Sequence, residues 1–278
     1  GCFGDALVLS NWATFYKNIV FIVLAIFVFI NRKKLYCFLG QKTGVILGVV
    51  TILLYCSAVV YSVNHEPLFD FRPYKTGVNI PDAMAIPADA PKDVYSNTFY
   101  YKNRKTGEVQ KFTEQNYPWQ DTLNWEFQSM DESVLVSKGY SPPIHGLTIE
   151  SREGDNVIDF FLYDENYVFI LVAYDLDKSS RKNQEKINNL AAWAMENNYS
   201  FICLTSTLFE KCDQFVAETG APYDFFHTDE IALKTMIRSN PGLLVLKKGT
   251  IVAKYHNNDI PTPEKFRKKS PGEKVYPE

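Results

Sequence analysis

Two long apolar runs near the start of the chain most constrain what it can fold into. Residues 12–30 (WATFYKNIVFIVLAIFVFI) and 44–63 (GVILGVVTILLYCSAVVYSV) each approach the length that an α-helix needs to cross the hydrocarbon of a bilayer. The second run carries no charge, and the first carries Lys17 near one end, where a long side chain can reach the interface. A buried helix of a soluble protein rarely has so long an uncharged stretch. The pattern therefore predicts two transmembrane helices.

The charges between the two runs predict how they are oriented. This short loop has four basic residues and no acidic one: Arg32, Lys33, Lys34 and Lys42. By the positive-inside rule the loop lies in the cytoplasm, so both ends of the pair face outward. A signal peptide has the opposite order, with its basic residues before the apolar run. In a diderm bacterium this orientation places the two helices in the inner membrane, in contact with the lipid bilayer, and the soluble part in the periplasm.

Composition narrows the chemistry of the chain. Its 278 residues have a formal charge of -3 and show no nucleic-acid recognition motif, so we expect no nucleic-acid partner. The five cysteines form no C-x-x-C pair, and none of them is near a histidine. This pattern predicts no disulfide framework, no metal site and no cofactor.

Turn residues and apolar periodicity divide the remainder of the chain. A segment rich in Pro and Asp follows the second apolar run and is predicted to be an extended linker. Residues 98–113 predict a β-hairpin around Lys-Thr-Gly, and residues 133–139 and 157–163 predict further strands. The predicted divisions are a membrane domain (1–63), a periplasmic linker (64–93), a β-rich connector (94–163) and an α/β domain (164–278).

The α/β domain shows a regular alternation of strands and helices from Tyr167 onward. A buried strand (YVFILVAY) is followed by a helix with apolar residues at helical spacing, and two further strand–helix pairs come next. The last stretch, SNPGLLVLKKGTIVAKYH, predicts two strands joined at a glycine turn. The order predicts a mainly parallel sheet that ends in an antiparallel hairpin.

This order, with X-Pro before the final hairpin, resembles the thioredoxin-like fold and is most similar to its TlpA-type and peroxiredoxin-like branch. The resemblance covers about 110 residues. It implies that Pro241 is a cis proline preceded by Asn240, and that Asp177 and Ser180 occupy the two cysteine positions of the active-site turn. Thiol–disulfide exchange requires a thiolate, which neither Asp177 nor Ser180 can supply.

The turn is therefore predicted to begin a helix without catalysis, with Asp177 as the N-cap. Cys203, in a predicted strand, and Cys212, in a predicted helix, are expected to be inert core thiols. The resemblance implies a groove beside the turn and the loop before Pro241. Its predicted binding residues are Asp177, Ser180, Asn240 and Pro241.

The first residues carry a second resemblance. GCFGD, directly before the first apolar run, is similar to a segment of DoxX-like and MauE-like membrane proteins, in which Cys-Gly-Cys-Phe-Gly is typical. Bacteroidetes members carry a thioredoxin-like domain after four spans. The resemblance implies that two upstream spans precede Gly1 and that Cys2 has a cysteine partner outside this chain.

The sequence thus predicts a transmembrane α-helical hairpin followed by a β-rich connector and an α/β thioredoxin-like domain. Two functions stay open. One is binding of a periplasmic protein or peptide by a soluble domain that lacks the CxxC cysteines and is not itself an enzyme. The alternative is a membrane thiol–disulfide oxidoreductase, in which Cys2, the one catalytic candidate, acts with the upstream cysteine.

Overall fold

Two long apolar helices open the structure, a computed structural model that describes residues 9–32 and 40–269. Ser10 caps the first helix, because its Oγ accepts a hydrogen bond from the Ala13 amide at 3.2 Å. Nearly all described side chains of both helices are exposed, and both helices are long and apolar enough to cross a membrane. The two predicted helices are confirmed. The helices are α1 (Asn11–Asn31) and α2 (Gln41–Asn64).

A mixed five-stranded sheet forms the centre of the α/β domain. The central strand pairs in parallel with one neighbour and antiparallel with the other, and the sheet ends in an antiparallel hairpin. The order is β10-β9-β6-β7-β8. This sheet confirms the predicted thioredoxin-like α/β domain with its final antiparallel hairpin, but the prediction of a mainly parallel sheet is wrong, since two of the four strand pairings are parallel and two are antiparallel. Its strands are β6 (Tyr167–Val172), β7 (Ser200–Thr205), β8 (Asp224–His227), β9 (Gly242–Lys247) and β10 (Thr250–His256).

Helices pack on this sheet because one stripe of each is apolar. Ile187, Leu190, Ala191 and Ala194 of the helix after β6 are buried, at the spacing that places them on one face. Gly220 ends the next helix with a φ of 63°, in the left-handed region that glycine adopts without steric cost. These helices are α5 (Gln184–Glu196), α6 (Phe209–Thr219), α7 (Glu230–Met236) and α8 (Pro263–Lys269).

The segment after α2 packs on the α/β domain. Asn79 forms a bridge with Thr250, and the Ile80 amide donates to the Gly249 carbonyl at 2.8 Å. Tyr74 and Ile80 are buried, so this part of the predicted linker contributes to the core. The described residues of 9–83 and 146–269 therefore cluster as one compact unit, and residues 84–145 as a second. The short helix α3 (Ile80–Met84) lies at the division.

An ion-pair cluster fixes this segment to β10. The Lys254 ammonium lies 2.6 Å from an Asp70 carboxylate oxygen, and Lys254 is only 5% exposed. Arg72 lies 3.1 Å from Asp70 and 3.6 Å from Glu66. Next to the cluster, His65 Nδ1 lies 2.9 Å from the Asp259 carboxylate. The end of α2 is therefore connected to the sheet by several polar contacts.

The second compact unit is built on aromatic contacts between short antiparallel strands. Tyr101 is buried and makes edge-to-face contacts with Phe112 and Phe127 at centroid distances of 5.8 and 5.6 Å. The predicted hairpin at 98–113 and the strand near 133–139 are confirmed. The strands are β1 (Val94–Ser96), β2 (Thr98–Asn103), β3 (Val109–Thr113), β4 (Trp125–Met130) and β5 (Val134–Ser137).

The strand predicted at 157–163 is wrong: this segment forms the helix α4 (Ile158–Leu162). Ile158, Phe161 and Leu162 are buried, and their i, i+3, i+4 spacing suits a helix face rather than a strand. The segment packs on the sheet, since the Phe161 and Phe226 ring centroids are 5.2 Å apart.

Candidate functional site

The turn between β6 and α5 is organised by Asp175, a residue that the sequence analysis did not single out. Its Oδ1 accepts hydrogen bonds from the Asp177 amide at 3.0 Å and the Lys178 amide at 3.3 Å. The Ser179 amide donates to the Leu176 carbonyl at 3.2 Å. An aspartate that accepts the amide two residues ahead forms an Asx-turn, which is the local signal that could have identified Asp175.

The prediction that Asp177 caps the following helix is wrong. Helix α5 begins at Gln184, its N-cap position is Asn183, and Asn183 makes no side-chain capping bond. Asp177 instead forms an ion pair with Lys211 on α6, and both side chains are well exposed. A cysteine gains thiolate character from a helix N-terminus only when it lies at that terminus. Asp177 lies seven residues before the helix begins.

The loop before Pro241 is joined directly to this turn. The Asn240–Pro241 peptide bond is cis, as predicted. The Ser180 amide donates to the Asn240 carbonyl at 2.9 Å, and the Asn240 side-chain Nδ2 donates to the Asp175 carbonyl at 2.7 Å. The structure therefore brings Ser180, Asn240 and Pro241 together, whereas the Asp177 side chain is directed to Lys211.

Three polar groups next to Pro241 take no part in these hydrogen bonds. The Asn240 carbonyl, which the sequence analysis expected to be offered to a partner, already accepts from Ser180. Among the described residues the Asn240 amide has no hydrogen-bond partner, and neither do Asn240 Oδ1 and the Oγ of the 5%-exposed Ser239. Buried polar atoms usually have a partner, so these groups are candidates to meet a ligand or ordered water.

Two hydroxyl groups at the end of β7 hold the turn from its other side. Thr207 Oγ1 accepts from the Leu176 amide at 3.1 Å, and Ser206 Oγ donates to the Tyr174 carbonyl. The sequence analysis did not assign Ser206 and Thr207 to the site, because their roles depend on a contact about 30 residues away along the chain. The turn is thus fixed by β7 on one side and by the Pro241 loop on the other.

Charged pairs surround the turn at the surface. Lys178 lies 2.6 Å from Asp175, and Lys234 lies 2.7 Å from Glu230 and 5.2 Å from the Tyr174 ring centroid. The hydrogen bond from Lys178 lowers the pKa of Asp175. Lys178, Lys234 and Glu230 are exposed, and ion pairs with exposed members contribute little to stability.

Among the described residues no cysteine belongs to the turn itself, although Cys212 Sγ lies 3.8 Å from the carbonyl of Thr207, which holds the turn. Cys203 and Cys212 are fully buried, and burial raises the pKa of Cys212 to about 11 and that of Cys203 well above its usual range. Cys56 lies in α2. Cys2 lies outside the described residues. Within residues 9–32 and 40–269, no group of three or more His, Cys, Asp or Glu side chains is placed to hold a metal ion.

Comparisons with known proteins address the two soluble parts separately. A family model described as a domain of unknown function (DUF8463) matches residues 95–138, within the second compact unit. No curated protein matches the chain.

Several solved structures resemble the chain in fold. A thiol:disulfide interchange protein from Bacteroides sp. is 16% identical over 39% of this chain and 75% of its own, with a TM-score of 0.33. The thioredoxin domain of a thiol-disulfide oxidoreductase from Bacteroides vulgatus is 15% identical over 39% and 81%, with a TM-score of 0.31. StoA from Bacillus subtilis is 10% identical over 38% and 84%, with a TM-score of 0.30. This likeness concerns the fold alone.

Proposed function

We propose that the chain is a membrane-anchored protein whose thioredoxin-like domain binds an extended peptide or partner protein without thiol chemistry. The observation that carries the proposal is the hydrogen bond from the Ser180 amide to the Asn240 carbonyl. It joins the turn and the cis-proline loop into one fixed surface at the position where thiol oxidoreductases carry cysteines. A fixed polar surface suits recognition, because little ordering is needed when a partner binds.

The same geometry argues against exchange chemistry in this domain. The amides of Asp177, Lys178, Ser179 and Ser180 are all used within the turn and the adjoining loop. They are therefore not directed at a position where they could stabilise a thiolate. The buried Cys203 and Cys212 are kept protonated by their raised pKa values, and exchange proceeds through the thiolate.

The loop at Arg238–Asn240 is the surface that a partner would contact. Arg238 is exposed, and the Asn240 amide offers a donor beside Pro241. An extended segment that accepts from this amide would be held as an added strand is, by main-chain bonds, with side-chain contacts to the charged pairs around the turn. Asn240 thus contributes its amide and not its carbonyl.

The proposal includes a location. Two helices long enough to cross a membrane support anchoring in a bilayer, and the basic loop between them supports a periplasmic soluble part. The similarity of GCFGD to DoxX-like and MauE-like proteins supports placement of the chain in that bacterial inner-membrane group. In that arrangement upstream spans of the same protein are partners of α1 and α2.

Site-specific photo-crosslinking in intact cells tests the binding surface. A photoreactive amino acid replaces Arg238 in the full chain, and the matched control replaces Asn166, an exposed residue just before β6 begins. We expect a discrete adduct from position 238, absent from position 166, that survives reduction and prior alkylation of the cells. Equal adducts at both positions, or an adduct at 238 that alkylation abolishes, would contradict binding without thiols.

A further inference from the structure

The outer edge of β8 is only partly paired. On its inner side β8 pairs with β7, and on its outer side it meets Glu150 at a single position. The Glu150 amide donates to the His227 carbonyl at 2.9 Å, and the His227 amide donates to the Glu150 carbonyl at 2.8 Å. His227 therefore directs both of its main-chain groups away from β7.

Strand alternation determines which other groups point outward. Residues two apart on a strand direct their amide and carbonyl to the same side, so Phe225 faces the same edge as His227. The β7–β8 register runs without a bulge, which preserves this alternation. Among the described residues, the Phe225 amide and carbonyl have no hydrogen-bond partner.

The chain that pairs with His227 leaves the edge before it reaches Phe225. The Ser151 amide donates to the Asp155 carbonyl at 2.8 Å, and the Gly154 amide donates to the Ser151 carbonyl at 3.1 Å. These bonds close a tight turn, and Gly154 adopts a φ of 90° in it. The turn moves away from β8 and leaves a cavity of about 470 Å³ between them.

The cavity has a fixed wall and an apolar floor. Arg152 donates to both carboxylate oxygens of Asp213 on α6, at 3.0 and 2.6 Å, and this two-point contact spans from the turn to the helix. Val216 and Phe225 contribute apolar surface beneath it. The volume lies in the range of known ligand pockets, about 300–1,000 Å³.

The charge around the cavity is negative. Glu153, Asp213 and Asp224 are acidic and Arg152 is basic, all four are exposed, and together they carry a net charge of -2. Arg152 is ion-paired with Asp213, and among the described residues Glu153 and Asp224 form no ion pair, although Glu153 lies close enough to Arg152 to interact with its charge. A basic side chain is the complementary group.

We propose that the β8 edge binds an extended peptide that carries a basic side chain. The peptide adds as a further strand, in the antiparallel sense that Glu150 and His227 already set, and one of its residues exchanges two main-chain bonds with Phe225. Its basic side chain lies near Glu153 and Asp224. This site is separate from the groove at Pro241, so either site can fail without the other.

The test uses the full chain in lipid nanodiscs and the peptide Val-Lys-Val-Lys-Val-amide, which carries fluorescein on its N-terminal amine so that both lysines keep their charge. Binding is followed by anisotropy. Peptides N-methylated at one position at a time report which peptide amides are bonded. We expect one sensitive position: methylation of the peptide amide that donates to the Phe225 carbonyl weakens binding about tenfold, because it removes a hydrogen bond and blocks approach, and methylation at the other positions has little effect.

Two further measurements locate the site. The double variant Glu153→Gln, Asp224→Asn is expected to weaken binding severalfold, whereas Glu196→Gln, an exposed acid at the end of α5, leaves it unchanged. Hydrogen exchange at the Phe225 amide is expected to slow at least about tenfold when the peptide saturates the protein.

Several outcomes would overturn the proposal. The first is absence of binding at millimolar peptide, and the second is an N-methylation series in which no position weakens binding more than the others. The third is slow hydrogen exchange of the Phe225 amide in the absence of peptide. If this protection increases with protein concentration, a second copy of the chain occupies the β8 edge, and if it does not, another segment of the same chain occupies it.

Discussion

Removal of the Asp70 carboxylate tests the claim that the segment after α2 is part of the folded α/β unit. In the structure Asp70 lies 2.6 Å from Lys254, and the Lys254 side chain is 5% exposed. The variant Asp70→Asn keeps the shape of the side chain but leaves a buried cation without its counter-charge. Breaking a buried pair in this way costs about 3–5 kcal/mol.

We expect the lower end of that range, about 3 kcal/mol, because burial already lowers the pKa of Lys254, and a buried amine without its counter-charge can release its proton. For a unit of about 200 residues, this loss lowers the melting temperature by roughly 6–12 °C. Thermal unfolding of the full chain in nanodiscs, followed by circular dichroism at neutral pH, measures the shift.

Two variants complete the experiment. Asp89→Asn removes an exposed carboxylate and is expected to change the melting temperature by about 1 °C or less. Replacement of the pair together, Asp70→Leu with Lys254→Met, is expected to recover most of the loss, since no buried charge remains unpaired. A loss below about 1 kcal/mol for Asp70→Asn would refute the claim that this contact holds the segment to the sheet.

Three other predictions follow from groups in the structure. Burial raises the pKa of Asp70, but hydrogen bonds from Lys254 and Arg72 outweigh burial and hold this pKa below 3.8. The stabilisation from these bonds is therefore complete above pH 3.8 and is lost as the pH falls through the lower folded-state pKa. Acid titration of unfolding should show this loss in the wild type and not in Asp70→Asn. With its pKa at about 11, Cys212 is about a thousandth ionised at pH 8, and the pKa of Cys203 is also raised well above its usual range. Iodoacetamide should therefore alkylate Cys212 and Cys203 only after unfolding, and mass spectrometry of both peptides would show this. Rapid labelling of the native protein would contradict the burial of these two thiols. Asn240→Asp replaces the side-chain donor to the Asp175 carbonyl with an acceptor and should destabilise the domain by about 1–3 kcal/mol, measured by chemical unfolding. Asn240→Ala should destabilise the domain less. Equal losses for the two variants would show that this hydrogen bond does not hold the loop.

The sequence was most informative where a pattern extends over many residues. Both apolar helices, the alternation of strands and helices, the cis peptide at Pro241 and the hairpin at 98–113 agree with the predictions. The helices, the alternation and the hairpin depend on local periodicity and turn residues, whereas the cis peptide was predicted from the resemblance to the thioredoxin-like fold. The strand predicted at 157–163 was wrong because a short apolar run suits either a strand or a helix. Only packing on the sheet selects the helix here.

The candidate site was predicted less completely, because its contacts join distant parts of the chain. The proximity of Ser180 to Asn240 follows from the fold, but the use of the Asn240 carbonyl by Ser180 does not appear in any local pattern. Asp177 has a residue type suited to capping, yet Asp175 satisfies the nearby amides first and the helix starts later. Ser206 joins the site only through the adjacent strand.

The central claim is that this thioredoxin-like domain binds without thiol–disulfide exchange. The most direct measurement is the rate at which dithiothreitol reduces a disulfide-bonded protein such as insulin, with the full chain in nanodiscs and with empty nanodiscs. The account predicts equal rates, both for the wild type and for the Cys2→Ser variant. A faster rate with the full chain that persists in Cys2→Ser would contradict the account, because a thiol of the domain would then take part in exchange. A faster rate that Cys2→Ser abolishes would instead favour the oxidoreductase alternative, in which Cys2 is the reactive thiol.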